Sequence, residues 1–215
     1  MKNFENWETQ DVEMTFGIVQ EKKSTLLEDW LHAKTEITDQ ERQTLEGWRE
    51  KLLYHADFWN EDELKLQFIA PLLDFVDYTL TYCKPFSQRK LTAKIQDIHV
   101  GGWVDYMLAS GKQKPIRPFF FLHEYKQERK GDADPKGQLL IEMLTAQHLN
   151  DYLFPIYGCY VVGRNWFFMV LEANQYAVSD AFVATQEDIY QIIAIMRKVK
   201  VYIAEIVQKI EASKK

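Results

Sequence analysis

Asp105, Glu124 and Lys126 are the residues of this chain whose types and spacing best suit chemistry. They lie in Gly-Gly-Trp-Val-Asp-Tyr-Met-Leu-Ala (101–109) and Pro-Phe-Phe-Phe-Leu-His-Glu-Tyr-Lys (118–126). Both runs are short, aromatic or aliphatic, and bounded by Gly or Pro, which predicts two strands. Side chains alternate along a strand, so Glu124 and Lys126 project from one face. The polar stretch 110–117 carries turn residues, and a hairpin there sets Asp105 beside Glu124. Two carboxylates and an ammonium on one sheet face are expensive to desolvate, and a divalent cation is the usual compensation. Without metal, two close carboxylates resist joint ionisation, so one is expected to have a raised pKa. A lysine beside such a cation is suited to orient or deprotonate an attacking water.

The elements that must position these groups belong to a chain of 215 residues, 47% apolar and 14% aromatic, which fits one domain with a real core. No run approaches the roughly 18 apolar residues of a membrane span. The first seven residues, Met1 to Trp7, lack a signal-peptide core, so a cytoplasmic location is expected. Cys83 and Cys159 have neither disulfide nor metal-ligand spacing and read as buried thiols. Net charge is −6, but unevenly spread. Residues 1–83 hold 8 basic and 18 acidic side chains, 84–136 hold 11 and 6, and 137–215 hold 7 and 8. The one basic segment therefore contains Asp105, Glu124 and Lys126, and local potential matters more to a charged ligand than the global sum.

Along the chain, residues 1–20 show no clear period. Helices are expected over 24–33, from the capping box at Thr38 to about Phe58, and from Asn60 through Val76, where Leu64, Phe68, Ile69, Leu72 and Leu73 are spaced for one buried face. Strands are expected over 78–85 and 91–98, before the two already described. Asp134-Pro135 opens a helix to about Leu149. A hairpin over 155–162 and 166–171 follows, and then a last helix from Thr185 to about Ala212. One mixed sheet with helices on its faces, an α/β architecture, accounts for this order.

The pattern resembles the PD-(D/E)XK nuclease superfamily, with its restriction-endonuclease-like fold. It is most similar to the nuclease modules that open type I restriction enzyme motor subunits. The residues that carry the likeness are the helix around Asn60-Glu61-Asp62-Glu63, Val104-Asp105-Tyr106, Glu124-Tyr125-Lys126, and Gln138 at the start of the later helix. The family often has Tyr four residues after that Gln, where this chain has Glu142. The resemblance implies a nuclease-like domain over 60–215, with residues 1–59 a helical extension and the long final helix an addition. It further implies Mg²⁺ or Mn²⁺ held by Asp105, Glu124 and the Tyr125 carbonyl, and hydrolysis of phosphodiesters in nucleic acid, with DNA favoured.

Each residue also has a plainer reading. Glu63 has capping-box spacing from Asn60, although the family likeness places it near the metal, with Glu61 its substitute if the register shifts. Gln138 and Glu142 share a helix stripe; Gln138 could hold a phosphate or a metal-bound water, and Glu142 could be a third acidic ligand. Arg129, Lys130, Lys136 and Lys94 are expected to touch nucleic-acid phosphates. His123 points away from Glu124 and reads as a core or hydrogen-bonding residue. Trp103 and Trp166 read as core rather than base-stacking platforms. The apolar stripe of the last helix reads as packing, with a homodimer or protein-partner seam as an option. A non-catalytic module that kept this fold as a binding platform is the rival reading.

Overall fold

A computed structural model describes residues 1–128 and 134–212. The elements run β1 (Lys2–Asn3), a 3-10 turn (Phe4–Asn6), α1 (Thr9–Phe16), β2 (Val19–Gln20), α2 (Thr25–Leu31), α3 (Asp39–His55), α4 (Glu61–Leu64), a π-helical turn (Lys65–Ile69) and α5 (Ala70–Val76). They continue with β3 (Lys84–Ile95), β4 (Ile98–Ser110), β5 (Ile116–Lys126), α6 (Pro135–Leu149), β6 (Ile156–Val162), β7 (Asn165–Glu172), β8 (Gln175–Val178), β9 (Phe182–Val183) and α7 (Asp188–Ala212).

The nine strands among the described residues form one mixed sheet, as the α/β reading requires. β3, β4 and β5 are an antiparallel meander; α6 then carries the chain across to β6, which lies parallel to β5. A parallel pair needs such a crossover, because its strands must start at the same end. β7 and β8 continue antiparallel, and β1 and β2 add short parallel edges to β4 and β8.

Each face of the sheet has its own core. On one side, Trp30, Leu52, Phe68, Leu72, Ile193 and Met196 from the layer of α2, α3, the π-helical turn, α5 and α7 meet Phe121, Tyr157 and Phe168 of the strands. On the other, α6 lies on Leu122, Ile156 and Met169, and the N-terminal residues Phe4, Trp7, Val12 and Phe16 cover it from outside. Covered on both sides, α6 is apolar nearly all round, and Leu139, Leu140, Ile141, Met143 and Ala146 are all buried. Contact is close enough that a Cβ on Gly137 would sit 2.4 Å from the Thr9 nitrogen. Asp134 ties the two layers: one oxygen caps α6 through the Gly137 N–H (2.9 Å), the other accepts from the Thr9 N–H and hydroxyl, each at 2.7 Å.

Several expectations are corrected by this packing. The first 59 residues are more than a helical extension, since they supply two sheet edges and the cover of α6. The strands expected over 78–85 and 91–98 are replaced by the twelve-residue β3, joined to β4 by a two-residue turn with Gln96 and Asp97 in the left-handed region. Tyr78 leaves the sheet, and its buried hydroxyl donates to the Met196 carbonyl at 2.9 Å. The stripe of α7, including Ile189, Ile193 and Ile203, is buried in this chain's own core, as its packing reading expected. Cys83 and Cys159 are buried free thiols, and burial pushes the Cys83 thiol up to about 12. No helix among the described residues is long and apolar enough to cross a membrane.

Trp30 keys the first core. Its ring sits edge-on to Phe121, Tyr157 and Phe168, with centroids 5.0–5.8 Å away, and its Nε1 donates to the Ile195 carbonyl at 2.8 Å. Trp30→Ala is expected to lower unfolding free energy by about 3–5 kcal/mol, read as a shift in the urea midpoint.

Candidate functional site

The site forms where β4 changes neighbours. The ladder between β4 and β5 runs from Ser110 back to Tyr106, paired with His123; β1 takes up pairing only at Gly101 and Val100. Between these pairings the β5 side of β4 has no partner strand among the described residues. Asp105 sits in that fork. Its Oδ2 accepts the Tyr125 N–H at 3.0 Å, so a side-chain oxygen stands where a β4 carbonyl would otherwise continue the ladder. This places the Asp105 carboxylate at the backbone between Glu124 and Lys126, as the hairpin reading expected.

Two further side chains bond it directly, and others gather around them. Asp105 Oδ1 accepts from Lys65 Nζ (2.8 Å) and from Gln88 Nε2 (2.6 Å). Lys65 also bonds Glu61 at 2.6 Å, across one helical turn. Lys65 opens the π-helical turn, a local widening that recurs at functional sites. Lys126 is ion-paired with Glu124, confirming that the two share a face, and its Nζ lies 3.9 Å from Glu61. From α6, Gln138 Nε2 donates to Glu142 Oε1 at 3.2 Å.

Four carboxyl groups (Glu61, Asp105, Glu124, Glu142) thus face two ammonium groups (Lys65, Lys126). Fully ionised, the cluster would carry a net charge of −2 in a largely buried place. Glu124 Oε2 and Glu142 Oε2 are buried without a hydrogen-bond partner among the described residues. Burial, and then the Asp105 charge, push the Glu124 carboxyl up to about 8, against the pull of Lys126. Burial first, then Glu124 and Asp105, hold the Glu142 carboxyl well above the ordinary range. Burial, the largest single influence, lowers the Lys126 ammonium, but Glu124, Glu61 and Asp105 together outweigh it and hold the group above the usual lysine value. Lys65 is held up in the same way by Asp105 and Glu61.

Several expected residues stand elsewhere. Glu63 closes the capping box with Asn60, accepting the Asn60 N–H at 2.9 Å, and Glu61 is the residue of that turn that reaches the cluster. Gln138 is buried and holds Glu142, so it is not exposed to grip a phosphate. Lys136 bonds Gln20 (2.8 Å) and covers the Tyr176 ring, and Lys94 pairs with Asp97 (2.6 Å) at the ribbon tip. Arg129 and Lys130 lie outside the described residues. His123 is buried on the far side of β5 against Tyr106 and Phe121, and burial takes its imidazole down to about 3, which fits its core reading.

Lys65, Gln88 and the central place of Glu142 are what sequence reasoning missed. The Glu61–Lys65 spacing was a usable signal; Gln88, in the left-handed region of an exposed strand, gave none. Among the described residues no three acidic, histidine or cysteine side chains stand ready-made around an ion, since Asp105 and Glu124 bond to Lys65, Gln88 and Lys126. The residues present nevertheless suit a hard divalent cation. They are oxygen donors, two of them buried and unpartnered, and the net charge of −2 is what such an ion would neutralise.

No protein-family model matches the chain, and neither does any curated protein sequence.

The raised carboxyl gives a pH dependence with a definite sign. Between the unfolded value of 4.5 and the folded value of about 8, folded Glu124 holds a proton that the unfolded chain has lost, so its contribution to stability falls as pH rises through that window. With divalent cations chelated, the urea midpoint of the native protein relative to Glu124→Gln is expected to drop steadily from pH 5 to 8. A difference that stays flat contradicts the assignment.

Proposed function

We propose that this protein is a metal-dependent phosphodiesterase of the PD-(D/E)XK kind acting on nucleic acid, with DNA the favoured substrate. The carrying observation is the carboxyl cluster at the β4–β5 fork, where an Asp and a Glu-x-Lys on adjacent strands meet and two buried carboxyl oxygens have no partner among the described residues. The order of helix, three antiparallel strands, crossover helix and parallel strand supports the same reading.

In this reading Asp105, Glu124 and the Tyr125 carbonyl hold Mg²⁺ or Mn²⁺. When bound, the ion supplies Lewis-acid polarisation of a phosphoryl oxygen and a water of lowered pKa. The remaining work falls to side chains of this chain. Lys126, an ammonium held in its charged form, donates to the attacking water and to a phosphate oxygen, and so orients rather than deprotonates. Lys65 and Gln88 hold Asp105 at its angle. Gln138 fixes one oxygen of Glu142 and leaves the other toward the cluster as a third acidic group.

A second reading, a nuclease fold kept as a non-catalytic binding platform, is favoured by the closure of both lysines on the carboxylates. The two separate by experiment. Mg²⁺ or Mn²⁺ at a hundredfold excess over its Kd is expected to stabilise the native protein by about 2.7 kcal/mol, and Glu124→Gln to lose most of that. Labelled DNA and RNA are expected to be cut in the presence of either ion, and Lys126→Ala to cut roughly 10²–10⁴-fold more slowly. Equal cleavage by the variant overturns the mechanism. Absence of both stabilisation and cleavage moves the assignment to the platform.

A further inference from the structure

Resting on the nuclease reading, we propose that the outward face of the β3–β4 ribbon binds an unpaired nucleic-acid strand. Trp103 stacks on a base, and Lys90 and Lys94 meet the phosphates on the approach to Asp105.

Trp103 was expected in the core, yet it is 60% exposed. Trp7, Trp30 and Trp166 are buried, and Trp48 and Trp59 pack against the core. Trp103 has no aromatic partner among the described residues, and an open indole in mid-strand leaves a large apolar surface in water. The register explains what surrounds it. Lys90 pairs with Trp103, Thr92 with Gly101 and Lys94 with His99. Directly paired residues share a face, so one side of the ribbon presents Trp103, His99, Lys90 and Lys94 together. The opposite side, with Leu91, Ile95, Val100 and Val104, is buried in the second core.

Gly101 stands between Trp103 and His99, and the Thr92 side chain of β3 packs over it. A Cβ there would meet Thr92 Cγ2 at 2.5 Å. In the other direction Asp105 is two residues on, roughly 7 Å along the strand, and it is bonded to Gln88 of the same ribbon. The platform is therefore continuous with the candidate site. Its charge fits a polyanion: Arg89 and Lys90 have no acidic partner among the described residues, and Lys94 has only the exposed Asp97 of the turn. An aromatic ring between lysines suits bases whose faces are free, which a single strand offers and a duplex does not. The platform thus assigns the substrate as single-stranded, or splayed open at the point of attack.

The test uses the full chain with EDTA, and again with Ca²⁺. It measures fluorescence anisotropy of labelled oligo(dT) and oligo(U), each about twenty nucleotides, and of a duplex of equal length. Single strands are expected to bind more tightly than duplex. Trp103→Ala should weaken them roughly tenfold and leave duplex binding unchanged, while Trp103→Phe retains most of the affinity. Lys90→Gln combined with Lys94→Gln should lower the salt slope by about 1.4, the share of two phosphates on a single strand. Thermal melts of the variants confirm folding, which an exposed position should not disturb. Unchanged binding by Trp103→Ala overturns the platform. So does failure of the native chain to bind any oligonucleotide, which would assign the face to a protein. Strand binding through Trp103 without cleavage in Mg²⁺ or Mn²⁺ sinks the nuclease reading and spares the platform; cleavage indifferent to Trp103→Ala does the reverse.

Discussion

One hydrogen bond joins the architecture to the chemistry: the Tyr125 N–H donating to the Asp105 carboxylate. Where β4 parts from β5, that N–H would otherwise be left without a strand partner in a half-buried place, at a cost comparable to a lost hydrogen bond. Asp105 satisfies it and is thereby fixed between Glu124 and Lys126. The end of the ladder and the formation of the acidic cluster are the same structural event. The fork in turn exists because β4 is thirteen residues long and pairs on one side with β5 from Tyr106 onward and with β1 only at Val100 and Gly101, while β3 runs along its other side.

The burial of α6 sharpens the electrostatics. A helix enclosed by the sheet on one side and by Phe4, Trp7 and α1 on the other should be apolar throughout, and position 142 would be more comfortably filled by leucine. Glu142 is there instead, fully buried, with one oxygen held by Gln138 and the other unpartnered. Glu124 meets it from β5 under nearly the same enclosure. The N-terminal segment thus removes water from the helix that carries the third carboxyl, and so raises the penalty of ionising the cluster. A proton can relieve that penalty only one carboxyl at a time, whereas a divalent cation relieves it for several at once.

Much of this was legible in the sequence. The apolar runs around Asp105 and Glu124 gave the correct hairpin, the capping residues Thr38, Asn60 and Asp134 marked three helix starts, and the alternation rule placed Lys126 with Glu124 and His123 opposite. What stayed hidden has physical reasons. β3 was split because its middle, Ser87 to Lys90, is exposed on both faces and carries no burial pattern. β1 and β2 are two residues each, too short for any period. Glu63 and Glu61 are equally acidic, and only the cap geometry shows which one turns inward. Trp103 was taken for core because large aromatic residues usually are, and the strand's side-chain alternation alone does not reveal which face water keeps.

Charge distribution decides how a polyanion could reach such a site. The chain carries −6 overall, and its first 83 residues are strongly acidic, which would repel nucleic acid if charges acted at any distance. At physiological ionic strength the Debye length is about 8 Å, so an approaching phosphate feels the surface it is about to touch far more than the molecule's sum. On the ribbon that surface is Lys84, Arg89, Lys90 and Lys94 against Asp97 and Asp105. Asp97 is taken up by Lys94, and Asp105 by Lys65 and Gln88. The local balance therefore favours anions along β3, while the acidic helices disfavour other approaches at short range. An acidic protein can then present one basic route, and that route ends at the fork between β4 and β5.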